Sequence, residues 1–192
     1  FSLTLNDQAT VDQPILNAYK NFRLDAEQSK FKHFLEIFYP NCHESRSQIP
    51  DLDRFIADQA TRCLAGIPQK NRPLFLKIPY LRPAVMEQLA AYDKSLIIGV
   101  LGGSSGTTCD AFTLAANAKK YGARAAIFGR KINSAEDQRS FVRFLRAVTD
   151  DELSPDEAVR GYHAELKKKS VLPKRELHDD LLQTPRVEPT GT

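Results

Sequence analysis

Lys77 stands in "LFLKIPY" (74–80), flanked by Phe75, Leu76, Ile78 and Pro79. An unpaired ammonium is costly to bury. Desolvation lowers a lysine's pKa toward neutrality, and the neutral amine is a nucleophile able to form an imine with a carbonyl. The same seven residues also fit a strand-end lysine whose head reaches solvent. Two further stretches carry chemistry of another kind. "LGGSSGTT" (101–108) follows an apolar run and precedes a helix-like segment, so its backbone N–H groups and a helix N-terminus could cradle a phosphate. It lacks the Gly-Lys-Ser/Thr ending of a Walker loop and the G-x-G-x-x-G spacing. An ordinary turn needing positive φ would also use these glycines. "IFGRKI" (127–132) places Gly129 and Arg130 at the end of another strand-like run. If the two runs are neighbouring strands, their loops and one guanidinium converge, as in the phosphate site common in TIM barrels; Arg130 alone would be a solvated helix-start charge.

The histidines offer less. His33, His163 and His178 show no metal-ligand spacing, and His43, in "YPNCHES", reads as a loop residue with no legible catalytic partner, as does Cys42. No metal site is expected.

These residues need elements to position them, and the pattern supplies a regular alternation. Strand-like runs occur at 1–6, 32–39, 73–80, 95–102 and 123–129. Helical spacing covers 11–29, a segment capped by Asp51, then Ala84 to Tyr92, Thr107 or Thr108 to Tyr121, and Ala135 to Val148. Five βα units of this kind predict a parallel sheet. Residues 154–169 form one more helix, with Ser154 as N-cap and Pro155 at its first position. Beyond Leu172 the chain is charged and broken by prolines, and a loosely packed tail is expected. The division is therefore 1–150, the βα region, and 151–192, a C-terminal helix and extended tail.

Composition narrows the function classes. With 192 residues, 42% hydrophobic and 27% charged, the chain reads as soluble and globular. A net charge of +3 suits an anionic small molecule and is too mild for a nucleic-acid binder. No apolar run approaches the roughly 18 residues of a membrane span. Three cysteines without CxxC spacing point to reduced thiols in a cytoplasmic compartment.

Taken in order, the motifs resemble the archaeal-type class I fructose-bisphosphate aldolases, Schiff-base (β/α)8 barrels. The family's sixth-strand K-x-x-Y corresponds to "KIPY", Lys77 to Tyr80; its seventh-strand Gly-Gly phosphate loop to "LGGSSGT"; its eighth-strand G-R to "FGRKI"; and its fifth-strand Tyr-Pro to "IFYPN", so Tyr39 matches the acid/base tyrosine. The resemblance covers about residues 1 to 148. It implies an α/β fold of the (β/α)8 TIM-barrel type, present as an incomplete barrel matching strands four to eight. It also implies an aldolase-type lyase acting on a phosphorylated sugar. Lys77 would form the imine and Tyr39 would transfer protons, while Gly102, Gly103, Ser104, Gly129 and Arg130 hold the phosphate. No cofactor is required. No nucleic-acid or membrane partner is expected, and such barrels commonly form homo-oligomers. Glu36 is a second candidate for proton transfer; three positions from Tyr39, it faces the helices if Tyr39 faces the barrel interior.

Two departures stand out. Leu101 occupies a position that is often serine in relatives, and nothing here stands for the family's first-strand aspartate. A complete barrel runs to about 250 residues, and "FSLTL" opens the chain in what reads as mid-domain. The chain is therefore expected to be the C-terminal part of a longer protein, or a half-barrel needing a partner. The alternative function is a catalytically inactive sugar-phosphate-binding homologue or subunit.

Overall fold

The structure is a computed structural model and describes residues 1–102 and 106–184. The fold is α/β, with a five-strand parallel sheet alternating with helices, as in a partial TIM barrel. The elements run β1 (Ser2–Thr4), α1 (Ala9–Gln28), β2 (Leu35–Phe38), α2 (His43–Gln48), α3 (Leu52–Leu64), β3 (Phe75–Ile78), α4 (Pro83–Tyr92) and β4 (Ile97–Leu101). They continue as α5 (Thr108–Lys120), β5 (Ala125–Ile127), α6 (Arg130–Asn133), α7 (Gln138–Thr149), α8 (Pro155–Lys168) and α9 (Leu177–Asp180). The strands lie in chain order, β1-β2-β3-β4-β5. Among the described residues two compact units are distinguished: 1–100 with 121–125, and 101–102 with 106–120 and 126–184.

In the first unit the strands obey a two-residue period. Leu3, Leu35, Ile37, Leu76 and Ile78 are fully buried, whereas Ser2 and Phe38 are exposed and Glu36, Phe75 and Lys77 half-buried. Successive side chains point to opposite faces, so one face meets the helices and the other carries the polar groups. α1 packs on β1, and α3 packs on β2 and α4. Burying Ile56, Ala60 and Leu64 on one side of α3 supplies much of that layer. The N-cap assigned to Asp51 is present, its carboxylate accepting from the Arg54 N–H at 3.0 Å.

The second unit is built on aromatic packing. Phe112, Phe141 and Tyr162 are almost wholly buried, with Phe112–Phe141 and Phe141–Tyr162 ring centroids 5.2 and 5.7 Å apart. The single helix expected over Ala135 to Val148 instead begins at Gln138, because Asp137 turns its carboxylate onto the Ser140 N–H at 2.7 Å and caps it. α6 forms separately before it. α8 starts with a complete Ser154/Glu157 capping box.

The segment after Leu172 is not loose over its described part. α9 forms, and Asp180 is buried, its carboxylate accepting from the Thr108 N–H at 2.7 Å and lying 2.9 Å from His163 Nε2. Thr107 Oγ donates to the Leu182 carbonyl at 2.7 Å, and the Thr184 N–H and hydroxyl both reach Asp110. The partners of Thr107, Thr108 and Asp110 here lie 72 to 75 residues away in sequence, which is why local composition did not reveal them.

Candidate functional site

Lys77 lies third in β3, in register with Glu36 of β2 on one side and Gly99 of β4 on the other. The Lys77 ammonium is 2.6 Å from Glu36 Oε1, and the two side chains are 22% and 12% exposed. Ser2 Oγ donates to Glu36 Oε2 at 3.0 Å. Lys77 is thus half-buried but paired. Gly99 has no side chain to crowd that flank. A carboxylate so close can take the ammonium's proton when a carbonyl carbon approaches, because proton exchange needs contact at hydrogen-bond range.

Tyr39 follows the end of β2. Its hydroxyl donates to Asp53 Oδ1 at 2.5 Å, and Asp53 also accepts from the Arg82 N–H at 2.7 Å. This bond ties the phenol to α3. Glu36, in register with Lys77, shares its face of the sheet rather than facing the helices. The pairing of Glu36 with Lys77 was not anticipated, since strand register is not written in either strand alone.

In the second unit Gly102 donates its N–H to the Ile127 carbonyl at 3.0 Å. That amide is spent within the sheet, so what Gly102 offers is close approach: a Cβ there would lie 2.3 Å from the Phe128 ring and 2.9 Å from Phe128 Cα. Gly129 and Arg130 are exposed at the start of α6. Gly103 and Ser104 fall outside the described residues.

The N-terminus of α5, considered above as a phosphate cradle, is already occupied. The Thr107 N–H bonds Asp110 at 2.7 Å, the Asp110 N–H bonds Thr107 Oγ at 3.0 Å, and the Thr108 N–H bonds Asp180. Gly106, at φ +93°, permits this cap, since a Cβ would meet Asp110 Oδ2 at 2.4 Å. Burial pushes the Asp180 carboxyl up, but the bonds from Thr108 and the charge of His163 outweigh it and hold it below the usual range.

Lys131 was passed over in the sequence although it adjoins Arg130. It is buried, and its Nζ donates to the Gly106 carbonyl at 2.9 Å; desolvation lowers its pKa, with Asp180 opposing. This ammonium ties α6 to the end of the glycine stretch. Among the described residues, no group of three or more His, Cys, Asp or Glu could hold a metal ion, and no helix is long and apolar enough to cross a membrane.

No protein-family model and no curated protein sequence matches the chain. Among solved structures it is similar to an archaeal fructose 1,6-bisphosphate aldolase, with a TM-score of 0.59 at 16% sequence identity over 77% of this chain. The match spans 56% of that aldolase, little more than half its length. At this identity the likeness establishes fold alone: the chain has an aldolase-like α/β fold.

Proposed function

We propose that the chain carries the imine-forming part of an aldolase-type lyase acting on a phosphorylated sugar such as fructose 1,6-bisphosphate. The observation that carries the reading is the half-buried Lys77 ammonium 2.6 Å from Glu36. In this reading Glu36 accepts a proton from Lys77, and the freed amine attacks the substrate ketone to give a carbinolamine. The protonated Glu36 then returns its proton to the departing hydroxyl, so that water leaves and the iminium forms. The iminium is the electron sink for breaking the adjacent carbon–carbon bond. Tyr39, hydrogen-bonded to Asp53, is assigned the proton transfer at the substrate hydroxyl. The phosphate is assigned to Gly103, Ser104, Gly129 and Arg130, with Gly102 giving close approach. These assignments rest on the motif resemblance and on the aldolase-like fold.

The same ion pair favours one rival. A carboxylate at contact stabilises the charged ammonium, which suits a catalytically inactive sugar-phosphate binder. Borohydride reduction in the presence of dihydroxyacetone phosphate separates the two, read by intact mass and peptide mapping. An adduct on Lys77 that is absent in Lys77→Met and slower to form in Glu36→Gln supports the imine. Absence of any Lys77 adduct across several ketose and aldose phosphates overturns it.

A further inference from the structure

The first unit has a groove of about 200 Å³ on the side where β2 and β3 begin, away from the strand ends that lead to Tyr39 and Tyr80. Its walls are the last turn of α1, the 31–33 segment entering β2, and the short helical turn Gln69–Asn71 entering β3. Arg72 is committed there to Asp93 and to the Ile67 carbonyl. The side chains of Arg23, Lys30, Lys32 and Lys70 make no hydrogen bond or ion pair among the described residues. The one carboxylate lining the groove is Glu27. Four unpaired cations against one carboxylate leave +3, equal to the formal charge of the whole 192-residue chain. The remaining Lys and Arg residues equal the remaining Asp and Glu residues in number. The negative end of a helix dipole at α1 would account for Lys30, but not for Lys32 and Lys70 on other segments.

His33 adds a directional donor. It is 9% exposed and packs edge-on against Tyr19 and Phe22. Its Nε2 faces the Tyr19 hydroxyl at 3.5 Å. Burial pushes that phenol up to about 12, so it stays protonated and is able to donate to Nε2. Burial, then the Phe1 ammonium and Arg23, lower the His33 pKa and keep the ring neutral. A neutral ring that accepts at Nε2 carries its proton on Nδ1. Nδ1 makes no hydrogen bond, yet no buried side-chain nitrogen or oxygen among the described residues lacks a partner. Nδ1 is therefore not sealed from solvent, and His33 is one of the residues that line the groove.

We propose that this groove binds a phosphate dianion, free or as the head of a small monoester, between the His33 Nδ1–H, Arg23 and the three lysines. Apart from Glu27 and the neutral amide of Asn71, the free polar side chains lining the groove are cations and His33, which selects an anion, and arginine and ammonium groups are strong phosphate partners. Ligand pockets for drug-sized molecules run about 300–1,000 Å³, so this groove suits phosphate with a few carbons and is too small for a nucleotide. Aldolase-type barrels work at the opposite strand ends, so the inference does not depend on the imine reading.

The test is ¹H–¹⁵N NMR of the full chain, titrated with inorganic phosphate and, separately, glycerol 3-phosphate, at ionic strength fixed with sodium chloride. Saturable shifts are expected at the His33 ring and at residues 30–33 and 70–72. Affinity should fall about tenfold or more in Arg23→Gln/Lys32→Gln and stay unchanged in Lys77→Met. Tighter binding of glycerol 3-phosphate identifies a monoester ligand, and equal binding identifies free phosphate. Shifts confined to other residues, equal shifts with chloride alone, or binding unaltered in the Arg23/Lys32 variant would overturn the proposal. The Lys77 reduction assay reads independently of all these outcomes.

Discussion

Asp180→Ala is the substitution whose effect the structure defines most closely. Asp180 is 4% exposed, and its two carboxylate oxygens receive the Thr108 N–H at 2.7 Å and face His163 Nε2 at 2.9 Å. Alanine leaves the Thr108 N–H without its acceptor at the start of α5 and His163 Nε2 without its carboxylate partner. A hydrogen bond to a charged group contributes about 1.5–3 kcal/mol, and stranding a buried donor costs about 1–3 kcal/mol. The two overlap rather than add, so the expected loss is about 2–3 kcal/mol in the second unit. Global unfolding would blur this, because the two units need not melt together. The sharper assay is hydrogen exchange of the Thr108 amide, which should speed up roughly 30- to 150-fold at 1.4 kcal/mol per decade. Asp180→Asn keeps an oxygen for Thr108 and should lose less. The effect should also be pH-dependent. The folded pKa of Asp180 is depressed, so its contribution is complete above the ordinary carboxylate pKa and fades as pH falls through the lower, folded value. Exchange at Thr108 accelerated less than about threefold would refute the view that Asp180 anchors the tail to α5.

Gly102→Ala should destabilise the second unit by about 1–3 kcal/mol, since its methyl would press on the Phe128 ring and backbone; an unchanged urea midpoint would contradict this. Tyr162→Phe removes a hydroxyl that donates to Glu136 at 3.0 Å and accepts from the Asp137 N–H at 3.2 Å. A loss of about 1–2 kcal/mol by chemical denaturation is expected. Asp137, held at about 2 chiefly by the Ser140 side chain and N–H and then by Lys169, should contribute stability above pH 3.8 that disappears toward pH 2. Asp137→Asn should flatten that part of the acid-unfolding curve, and an unchanged curve would count against the cap.

Much of the local architecture was legible because its causes are local. The alternation of Leu35 and Ile37, or Leu76 and Ile78, with half-polar neighbours is a period-two signal that any strand buried on one face must carry. The caps at Asp51 and Ser154 could be read because a side chain and the N–H three residues later meet by helix geometry alone. The start at Gln138 rather than Ala135 was missed because the helical spacing runs on through Ala135, and the side-chain bond from Asp137 to the Ser140 N–H decides where the helix begins.

The candidate site divides the same way. Lys77 was conspicuous because an ammonium among apolar strand residues is anomalous by composition. That Glu36 rather than Tyr39 stands beside it depended on the register of β2 against β3, which loop lengths and helix packing set. The anchoring of the tail, the Asp180 bond at the start of α5 and the tie from Lys131 to Gly106 join residues 25 to 75 positions apart. Sequence by itself therefore determined strand, helix and cap, where partners are a few residues apart along the chain. Only the tertiary structure decided which charges meet, because those pairings exist once hydrophobic burial has brought distant segments to one place.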